Sequence, residues 1–285
     1  DDFYIDFVAH EMGHQFGGNH PFNGQLGNCT GSNRNGSTAY EPGSGSTIMS
    51  YAGICAGDNL QPHSDPYFHA ISLQEITNFT NSSSGNCSVN TPNPNQPPVI
   101  DTGSLPTGMT IPVQTPFALH ATATDPNTGD TLGYSWEQWD LGPQVPLSAG
   151  DNGQSPLFRS WPPEPTGERV FPSMSTVLGG PALKGEIVPT KTRPSMKFRL
   201  TVRDRSDDLL GSGTSQSADI ALAVTSTAGP FKVNSPSAGV ILSSGATAST
   251  SWDVANTTAT PVSCHSVDID LSTDGGASFT YALAT

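Results

Sequence analysis

The chain has 285 residues, of which 25 are Asp or Glu and 11 are Lys or Arg, so its formal net charge is −14. This acidic balance leaves no basic stripe to neutralise phosphates, which excludes nucleic acid and anionic membrane surfaces as expected partners. No apolar run reaches the roughly 20 residues that a membrane-spanning helix needs. The 30 Gly and 25 Pro favour turns and strands, and the length predicts two domains or three small ones.

The first predicted element is an amphipathic helix over residues 1–17. Its apolar face would carry the residues that recur at spacings of three and four, Ile5, Val8, Met12 and Phe16. An Asp at the first or second position can cap the helix, and the two glycines at 17 and 18 end it. No signal peptide precedes the helix, so we expect a mature or truncated start.

The same helix carries a motif with the spacing of a metal site. His10 and His14 lie one helical turn apart and project from the same face. Gly17 can adopt a positive φ, which turns the chain so that His20 swings back as a third ligand. Three nitrogens leave a fourth tetrahedral position open for water, as in catalytic zinc sites, and Glu11 can take the proton of that water.

These residues fit the signature H-E-x-x-H-x-x-G-x-x-H at every specified position, and the chain resembles the metzincin zinc peptidases. Residues 46–51, Ser-Thr-Ile-Met-Ser-Tyr, resemble the Met-turn of that family. The wider runs HEMGHQFGGNHPFNG and STIMSYAGIC look like those of bacterial secreted reprolysin-like metallopeptidases. The resemblance implies that Met49 forms a hydrophobic floor beneath the metal; the alternative is an ordinary core methionine.

The resemblance has two further implications. Pro21 and Tyr51 are more like serralysins, and in serralysins and astacins such a tyrosine can ligate the resting zinc and then stabilise the oxyanion. We therefore expect Tyr51 to act in catalysis; the alternative is a packing aromatic. A metzincin domain normally has an N-terminal subdomain ahead of its zinc helix. We therefore expect this chain to be a fragment, and whether the fragment alone is active stays open.

Loops are expected after the first helix, because the stretch to about residue 66 is rich in Gly, Asn and Ser. Ser72-Leu73-Gln74-Glu75 then has the pattern of a capping box that opens a second helix, running to about Phe79. Cys29 and Cys55 bracket the segment that carries Met49, and we predict a disulfide between them. The partners of Cys87 and Cys264 stay open, and no C-x-x-C pair suggests a cysteine zinc site.

Residues 81–98 form the predicted linker, since Pro and Asn there oppose both helix and central strand. Residues 99–228 predict an antiparallel, Ig-like β-sandwich. Its inward-facing residues would be Phe117, Leu119, Ala121, Phe198, Leu200, Val202, Ile220, Leu222 and Val224. The Pro- and Gly-rich residues 143–195 would be an extended insertion. The run TDPNTGDTLGYSW at 124–136 resembles bacterial Ig-like modules of the polycystic-kidney-disease type.

A short acidic loop in that run is a candidate calcium site. Asp125 and Asp130 flank Asn127 and offer the oxygen ligands that Ca²⁺ prefers. The same residue types also make an ordinary turn, and both interpretations stay open.

A second composition break, at residues 226–230, predicts a truncated second β-sandwich over 229–285. Its strand candidates are 239–242, 248–252 and 267–271, followed by a turn at Asp274-Gly275-Gly276. Four histidines without ligand spacing are expected to be surface or hydrogen-bonded polar groups: His63, His69, His120 and His265.

The predicted fold is therefore multidomain, with an α+β metzincin portion over residues 1–80 followed by all-β modules. The predicted function is that of a secreted bacterial zinc endopeptidase that hydrolyses proteins or peptides, with Glu11 as general base. One alternative is a non-catalytic adhesion or binding protein with a vestigial or structural zinc site. A second is a metalloenzyme with a non-peptide substrate. The ligands of the sandwich modules cannot be read from the sequence.

Overall fold

The structure, a computed structural model, describes residues 3–85, 87–89, 91–92, 94–205 and 213–284. Its helices are α1 (His10–Gln15), α2 (Ala70–Thr80) and α3 (Met174–Val177). Its strands are β1 (Val99–Ile100), β2 (Thr110–Pro112), β3 (Phe117–His120), β4 (Ala123–Thr124), β5 (Thr131–Gln138), β6 (Glu168–Phe171), β7 (Arg193–Arg205), β8 (Ser215–Thr225), β9 (Lys232–Ser235), β10 (Ser251–Asp253), β11 (Ile269–Leu271) and β12 (Tyr281–Ala284). No helix in the described ranges is long and apolar enough to cross a membrane.

The predicted first helix is present, but its winding and its buried face differ from the prediction. Phe3–Ala9 is π-helical and leads directly into α1. The buried residues of α1 are His10 and Gly13. The predicted apolar face is wrong for the described side chains, because Val8, Met12 and Phe16 are exposed. The helix packs through its histidine face because the Met-turn lies there, whereas no described residue covers the opposite face.

The segment between α1 and α2 folds with little regular structure, as predicted. Its short 3₁₀ turns surround a small core of Phe22, Cys29 and Cys55, which are fully buried. The predicted disulfide is confirmed, since Cys29 and Cys55 are bonded with their Cα atoms 5.3 Å apart. In the chain-entropy model, closing a loop of this length stabilises the fold by about 3 kcal/mol.

The capping-box prediction for α2 is wrong. The helix begins at Ala70, and the His69 imidazole caps it by accepting a hydrogen bond from the Ile71 N–H, 3.1 Å long. Ser72 is fully buried inside the first turn instead of preceding it. The observed cap differs from the predicted one because a histidine can accept a hydrogen bond through Nδ1. The Ser/Thr-based capping pattern does not include histidine.

The strands after residue 98 form a four-stranded sheet and smaller pairs. The sheet has the order β2-β8-β7-β5, while β3 pairs with β6 and β1 with β4. Pairing is antiparallel except between β2 and β8, which run parallel with Ile111 opposite Val224. The expectation of a purely antiparallel sheet is wrong at this edge. The Ig-like assignment and the domain boundaries stay predictions.

The predicted inward-facing residues form the core between these strands. Phe198, Leu200 and Val202 on β7 are fully buried, and the alternating residues of β3 and β8 are buried with them. Three phenylalanines from different strands meet here, with ring centroids of Phe171 and Phe198 4.9 Å apart and those of Phe117 and Phe171 also 4.9 Å apart. The long stretch at 143–195 contains β6 and α3 and contributes Phe158 to this core.

Residues 229–284 form two separate hairpins, β9 with β10 and β11 with β12. The strand predicted at 239–242 is wrong: these residues form no strand, and Ile241 is 92% exposed. The prediction at 248–252 overlaps β10 only in its last two residues, and the prediction at 267–271 overlaps β11 only in its last three. A second sandwich over 229–285 stays a prediction.

Candidate metal centre

The three predicted ligands meet at their Nε2 atoms. The distances are 3.1 Å between His10 and His14, 3.2 Å between His10 and His20, and 3.0 Å between His14 and His20. His10 is 4% exposed, and the other two are partly buried. Two of these residues come from α1, and Gly17, with φ of 85°, turns the chain so that the third returns to them.

Backbone carbonyls hold the opposite nitrogen of each ring. His10 Nδ1 donates to Ile48 O over 2.8 Å, His14 Nδ1 to Gly18 O over 2.8 Å, and His20 Nδ1 to Asn33 O over 2.5 Å. A carbonyl only accepts, so each Nδ1 carries the proton and each Nε2 presents its lone pair. This arrangement is the one by which proteins orient and tune metal-ligating imidazoles.

Burial favours the neutral form of the His10 and His20 rings. Desolvation lowers the pKa of His10 and lowers the pKa of His20 to about 4, and the neighbouring histidines act in the same direction. A neutral imidazole is the form that binds a metal ion. His10 and His20 therefore present neutral imidazoles at neutral pH.

The nitrogen positions fit zinc. Tetrahedral ligation at Zn–N distances of 2.0–2.1 Å places ligand nitrogens about 3.3 Å apart. The observed separations of 3.0–3.2 Å are close to that value. Among the described residues, only one other cluster of three potential ligands exists, and it contains carboxylates alone. His10, His14 and His20 are thus the residues that could hold zinc.

Glu11 lies beside the three histidines without joining them. Its side chain is exposed and borders a cavity of about 330 Å³ together with His10 and Tyr51. The carboxylate is thus free to face a molecule in that cavity. A larger cavity of about 630 Å³ lies between β5, β6 and residues 161–183 and contains none of the predicted site residues.

Met49 lies against α1 at Gly13, and its role as a floor beneath a metal stays a prediction. It is fully buried, and a Cβ built at Gly13 would overlap its sulfur atom. A Cβ at Gly13 would also come within 3.3 Å of the Phe68 ring. Glycine at this unspecified position of the motif therefore lets α1 approach the methionine, a requirement that the motif spacing does not reveal.

Tyr51 packs against the site. Its ring centroid lies 4.5 Å from that of His20 and 4.8 Å from that of Phe22. Burial raises the pKa of the phenol, and the nearby negative charge of Glu11 adds to the shift, so the hydroxyl keeps its proton at neutral pH. The ring position is compatible both with packing and with a donor at the metal, and the catalytic role stays a prediction.

Two buried or partly buried carboxylates support the site without being predicted. Glu75 on α2 accepts from the Asn19 N–H over 2.8 Å and from Asn19 Nδ2 over 2.7 Å, next to His20. Glu41, 1% exposed, accepts four hydrogen bonds from the Met-turn: from Ser46 N, Ser46 Oγ, Thr47 Oγ1 and Ser50 Oγ. The run of small hydroxyl residues around Met49 was the available signal for such an acceptor.

The candidate calcium loop gains a third carboxylate from β7. Asp125, Asp130 and Asp204 each place a carboxylate oxygen within 4.8 Å of the others. Asp204 already accepts from Asn95 Nδ2 and Thr214 Oγ1, and Asp125 accepts from the Asn127 N–H, as in an ordinary turn. Calcium binding stays a prediction.

Among the described residues, no other histidine joins the triad, although His63 borders the same cavity as His10 and Glu11. His69 is buried and caps α2, and His63 Nδ1 is hydrogen-bonded to Asp6 over 3.1 Å. Both fit the expectation of hydrogen-bonded polar groups.

Comparison with known families agrees with this geometry. Residues 2–74 match the family model described as Metallo-peptidase family M12B, Reprolysin-like. The match supports a metzincin-like peptidase, and its range contains the three histidines, Glu11 and Met49. No curated protein matches the chain.

Two solved structures show only a distant likeness. One is a nucleoside hydrolase-related hypothetical protein from Saccharophagus degradans that is associated with carbohydrate metabolism. It is 17% identical with a TM-score of 0.26, over 55% of this chain and 31% of its own. The other is human mucin-like protocadherin EC1-2, 18% identical with a TM-score of 0.21, over 48% of this chain and 57% of its own. The chain spans less than two thirds of either structure, and neither likeness carries an argument about function.

Proposed function

We propose that residues 1–80 belong to the catalytic unit of a secreted zinc endopeptidase and that β modules follow them. The observation that carries the proposal is the triad of His10, His14 and His20. Their Nε2 atoms lie within 3.2 Å of one another, and each Nδ1 donates to a carbonyl. The family match over residues 2–74 supports the same class of enzyme.

Zinc held by the three histidines would act as a Lewis acid that polarises a peptide carbonyl and acidifies a water molecule. Glu11, exposed beside the cavity, accepts the proton of the attacking water and returns it to the leaving amine. Tyr51, whose ring centroid lies 4.5 Å from that of His20, would donate its hydroxyl to the oxyanion. Met49 packs against α1 at Gly13 and so sets the distance between the helix and residues 46–51.

Proteins or peptides are the proposed substrates, and the extracellular space the proposed location. The Cys29–Cys55 disulfide is compatible with an oxidising compartment, where such bonds persist. A bacterial origin is part of the same proposal and rests on the resemblance of the motif region alone.

A non-catalytic binding protein with a structural zinc site is the principal alternative. A structural zinc site normally has four protein ligands. Within the described ranges, no fourth histidine, cysteine or carboxylate joins the triad, and Glu11 is not engaged as a ligand. Both features favour catalysis.

The test is casein or gelatin hydrolysis by the complete secreted protein, with and without a zinc chelator. We expect wild-type hydrolysis to stop on chelation and to return when zinc is added. His14→Ala should lose zinc, whereas Glu11→Ala should keep zinc and lose hydrolysis, because Glu11 is assigned as base and not as ligand.

The matched control is His265→Ala, which removes an exposed histidine far along the chain. It should keep both zinc and hydrolysis. Near-stoichiometric zinc in His14→Ala would contradict the ligand assignment. Substantial turnover by Glu11→Ala at unchanged zinc content would contradict the proposed base.

A further inference from the structure

One buried carboxylate of strands β1–β8, here called the β layer, contacts residues 69 and 70 of the proposed peptidase portion, residues 1–80. Glu137 on β5 is fully buried. Its Oε2 accepts from the Ala70 N–H at the start of α2 over 3.0 Å, and its Oε1 accepts from Ser160 Oγ over 2.5 Å. The same Oε1 lies 3.6 Å from His69 Nε2. Glu137 therefore joins three chain segments that are distant in sequence.

From these partners, hydrogen bonds lead to the Met-turn. The Ser160 carbonyl accepts from Ser46 Oγ over 3.1 Å. On the other side, the Tyr67 carbonyl, two residues before His69, accepts from the Ile48 N–H over 3.0 Å. Because the Ile48 carbonyl orients the His10 ring, the path from Glu137 to a proposed metal ligand consists of three hydrogen bonds and the short backbone segment 67–70.

Aromatic and cationic contacts lie at the same interface, between residues 1–80 and the β layer. Trp139, directly after β5, stacks on Tyr40 with ring centroids 4.1 Å apart and an interplanar angle of 7°. Arg199 covers the Trp139 ring, 3.7 Å from its centroid. Arg203 Nη2 donates to the Phe68 carbonyl over 2.9 Å. The Met-turn and the start of α2 are thus packed against the β layer.

We propose that Glu137 is a positioning residue of the metal centre, so that the β layer acts as a working part of the peptidase and not as a spacer. This inference rests on the proposed function. Losing the carboxylate would leave buried donors of Ala70 and Ser160 without a full set of acceptors. The Met-turn and the Ile48 carbonyl would then hold His10 less firmly, which weakens metal binding.

Glu137→Gln in the full chain is the principal test, because it keeps the side-chain shape. An amide has only one acceptor oxygen, whereas Glu137 accepts with both of its oxygens. Loss of a residue that hydrogen-bonds a metal ligand directly typically weakens metal affinity 10- to 100-fold, and Glu137 acts two hydrogen bonds further away, so the lower end of that range applies. We expect the zinc dissociation constant, measured by chelator competition, to rise by about tenfold. The visible spectrum of the Co²⁺-loaded protein should change as well.

Glu168→Gln is the matched control, since it makes the same chemical change at an exposed position of the same β layer. It should leave zinc affinity and the Co²⁺ spectrum unchanged. Ser160→Ala is the second variant for the case that Glu137→Gln does not fold. It removes one hydroxyl but keeps the Ser160 carbonyl, and it should weaken zinc binding in the same direction.

The possible outcomes separate the two proposals. A wild-type chain that does not bind zinc overturns the proposed function and this inference with it. If wild type binds zinc but the folded Glu137→Gln variant binds it equally well, the inference alone is overturned, even if the melting temperature falls. If Glu137→Gln does not fold, unchanged zinc affinity in Ser160→Ala overturns the inference.

Discussion

Each ring of the histidine triad donates from Nδ1 to a backbone carbonyl, and the three carbonyls come from separate segments at Gly18, Asn33 and Ile48. The local motif brings together only His10 and His14, because helical spacing places them on one face. The orientation of His10 and His20 depends on loops elsewhere in the chain, whereas His14 is held by Gly18 of the same motif. Two of the three proposed ligands are therefore oriented by residues that lie outside the motif.

Tyr51→Phe tests whether this tyrosine acts on the reaction. If its hydroxyl stabilises the oxyanion, kcat of the complete enzyme should fall by about 10²–10³, the usual loss for one such donor. KM and zinc content should change little, since phenylalanine keeps the ring against His20 and Phe22. Steady-state kinetics decide the matter. A decrease smaller than about threefold would mean that the ring only packs.

Gly13→Ala tests the contact between α1 and Met49. Alanine normally stabilises a helix relative to glycine by up to about 1 kcal/mol. Here the new methyl group overlaps the Met49 sulfur, so we expect destabilisation by about 1–3 kcal/mol, as for overpacked cores. Urea denaturation measures the sign. Gln15→Ala, at an exposed position of the same helix, is the control and should be nearly neutral; stabilisation by Gly13→Ala would contradict the contact.

At the scale of elements, carboxylates tie α1, the Met-turn and α2 to their neighbouring segments. Glu41 accepts from three residues of the Met-turn, and Glu75 on α2 holds Asn19 beside the third ligand. The segment has few large apolar residues, and hydrogen bonds to carboxylates are stronger than neutral ones. A Gly- and Ser-rich sequence can thus hold a defined geometry without regular secondary structure.

Calcium binding belongs to this scale, because the candidate cluster joins the β4–β5 turn to β7. If Asp125, Asp130 and Asp204 bind Ca²⁺, calcium at 100 times its Kd should stabilise the chain by about 2.7 kcal/mol. Thermal melts with millimolar calcium measure the shift, with magnesium as the control ion. Asp125→Asn should remove the response. An unchanged melting temperature in wild type would leave the loop as an ordinary turn.

At the scale of the whole molecule, residues 1–80 and the β layer share an extensive polar interface. Besides the Glu137 contacts, Gln144 Nε2 donates to the carbonyls of Gly24 and Cys29, and the Leu147 N–H donates to Asp58. Lys184 Nζ reaches the Asn59 carbonyl over 2.9 Å. Several of these residues belong to the insertion at 143–195, which wraps back over the first part of the chain.

Residues 1–80 and 99–228 should therefore unfold together. Calorimetry of the full chain should show one transition for these two parts, with equal calorimetric and van't Hoff enthalpies. Trp139→Ala, which removes the stack on Tyr40, should lower the melting temperature of that shared transition. Two transitions in the wild type, one of them unaffected by Trp139→Ala, would contradict this coupling.

The sequence by itself determined the elements whose signals are local. Helical spacing placed His10 and His14 together, and Gly17 supplied the turn that returns His20. Strict alternation identified the buried residues of β3, β7 and β8. The cysteine spacing predicted the Cys29–Cys55 bond. The inferences about the histidines and the strands needed only neighbouring residues. The inference about the disulfide needed only the chemistry of cysteine.

Only the tertiary structure decided which face of α1 is buried, what caps α2 and where the β layer sits. Those outcomes depend on partners that are remote in sequence. Met49 selects the histidine face, Glu137 reaches α2 from β5, and β2 joins the sheet beside β8 because the chain returns there. The physical reason is that the whole fold determines which donors surround a buried carboxylate and which surface a helix packs against. A local sequence pattern does not contain that information.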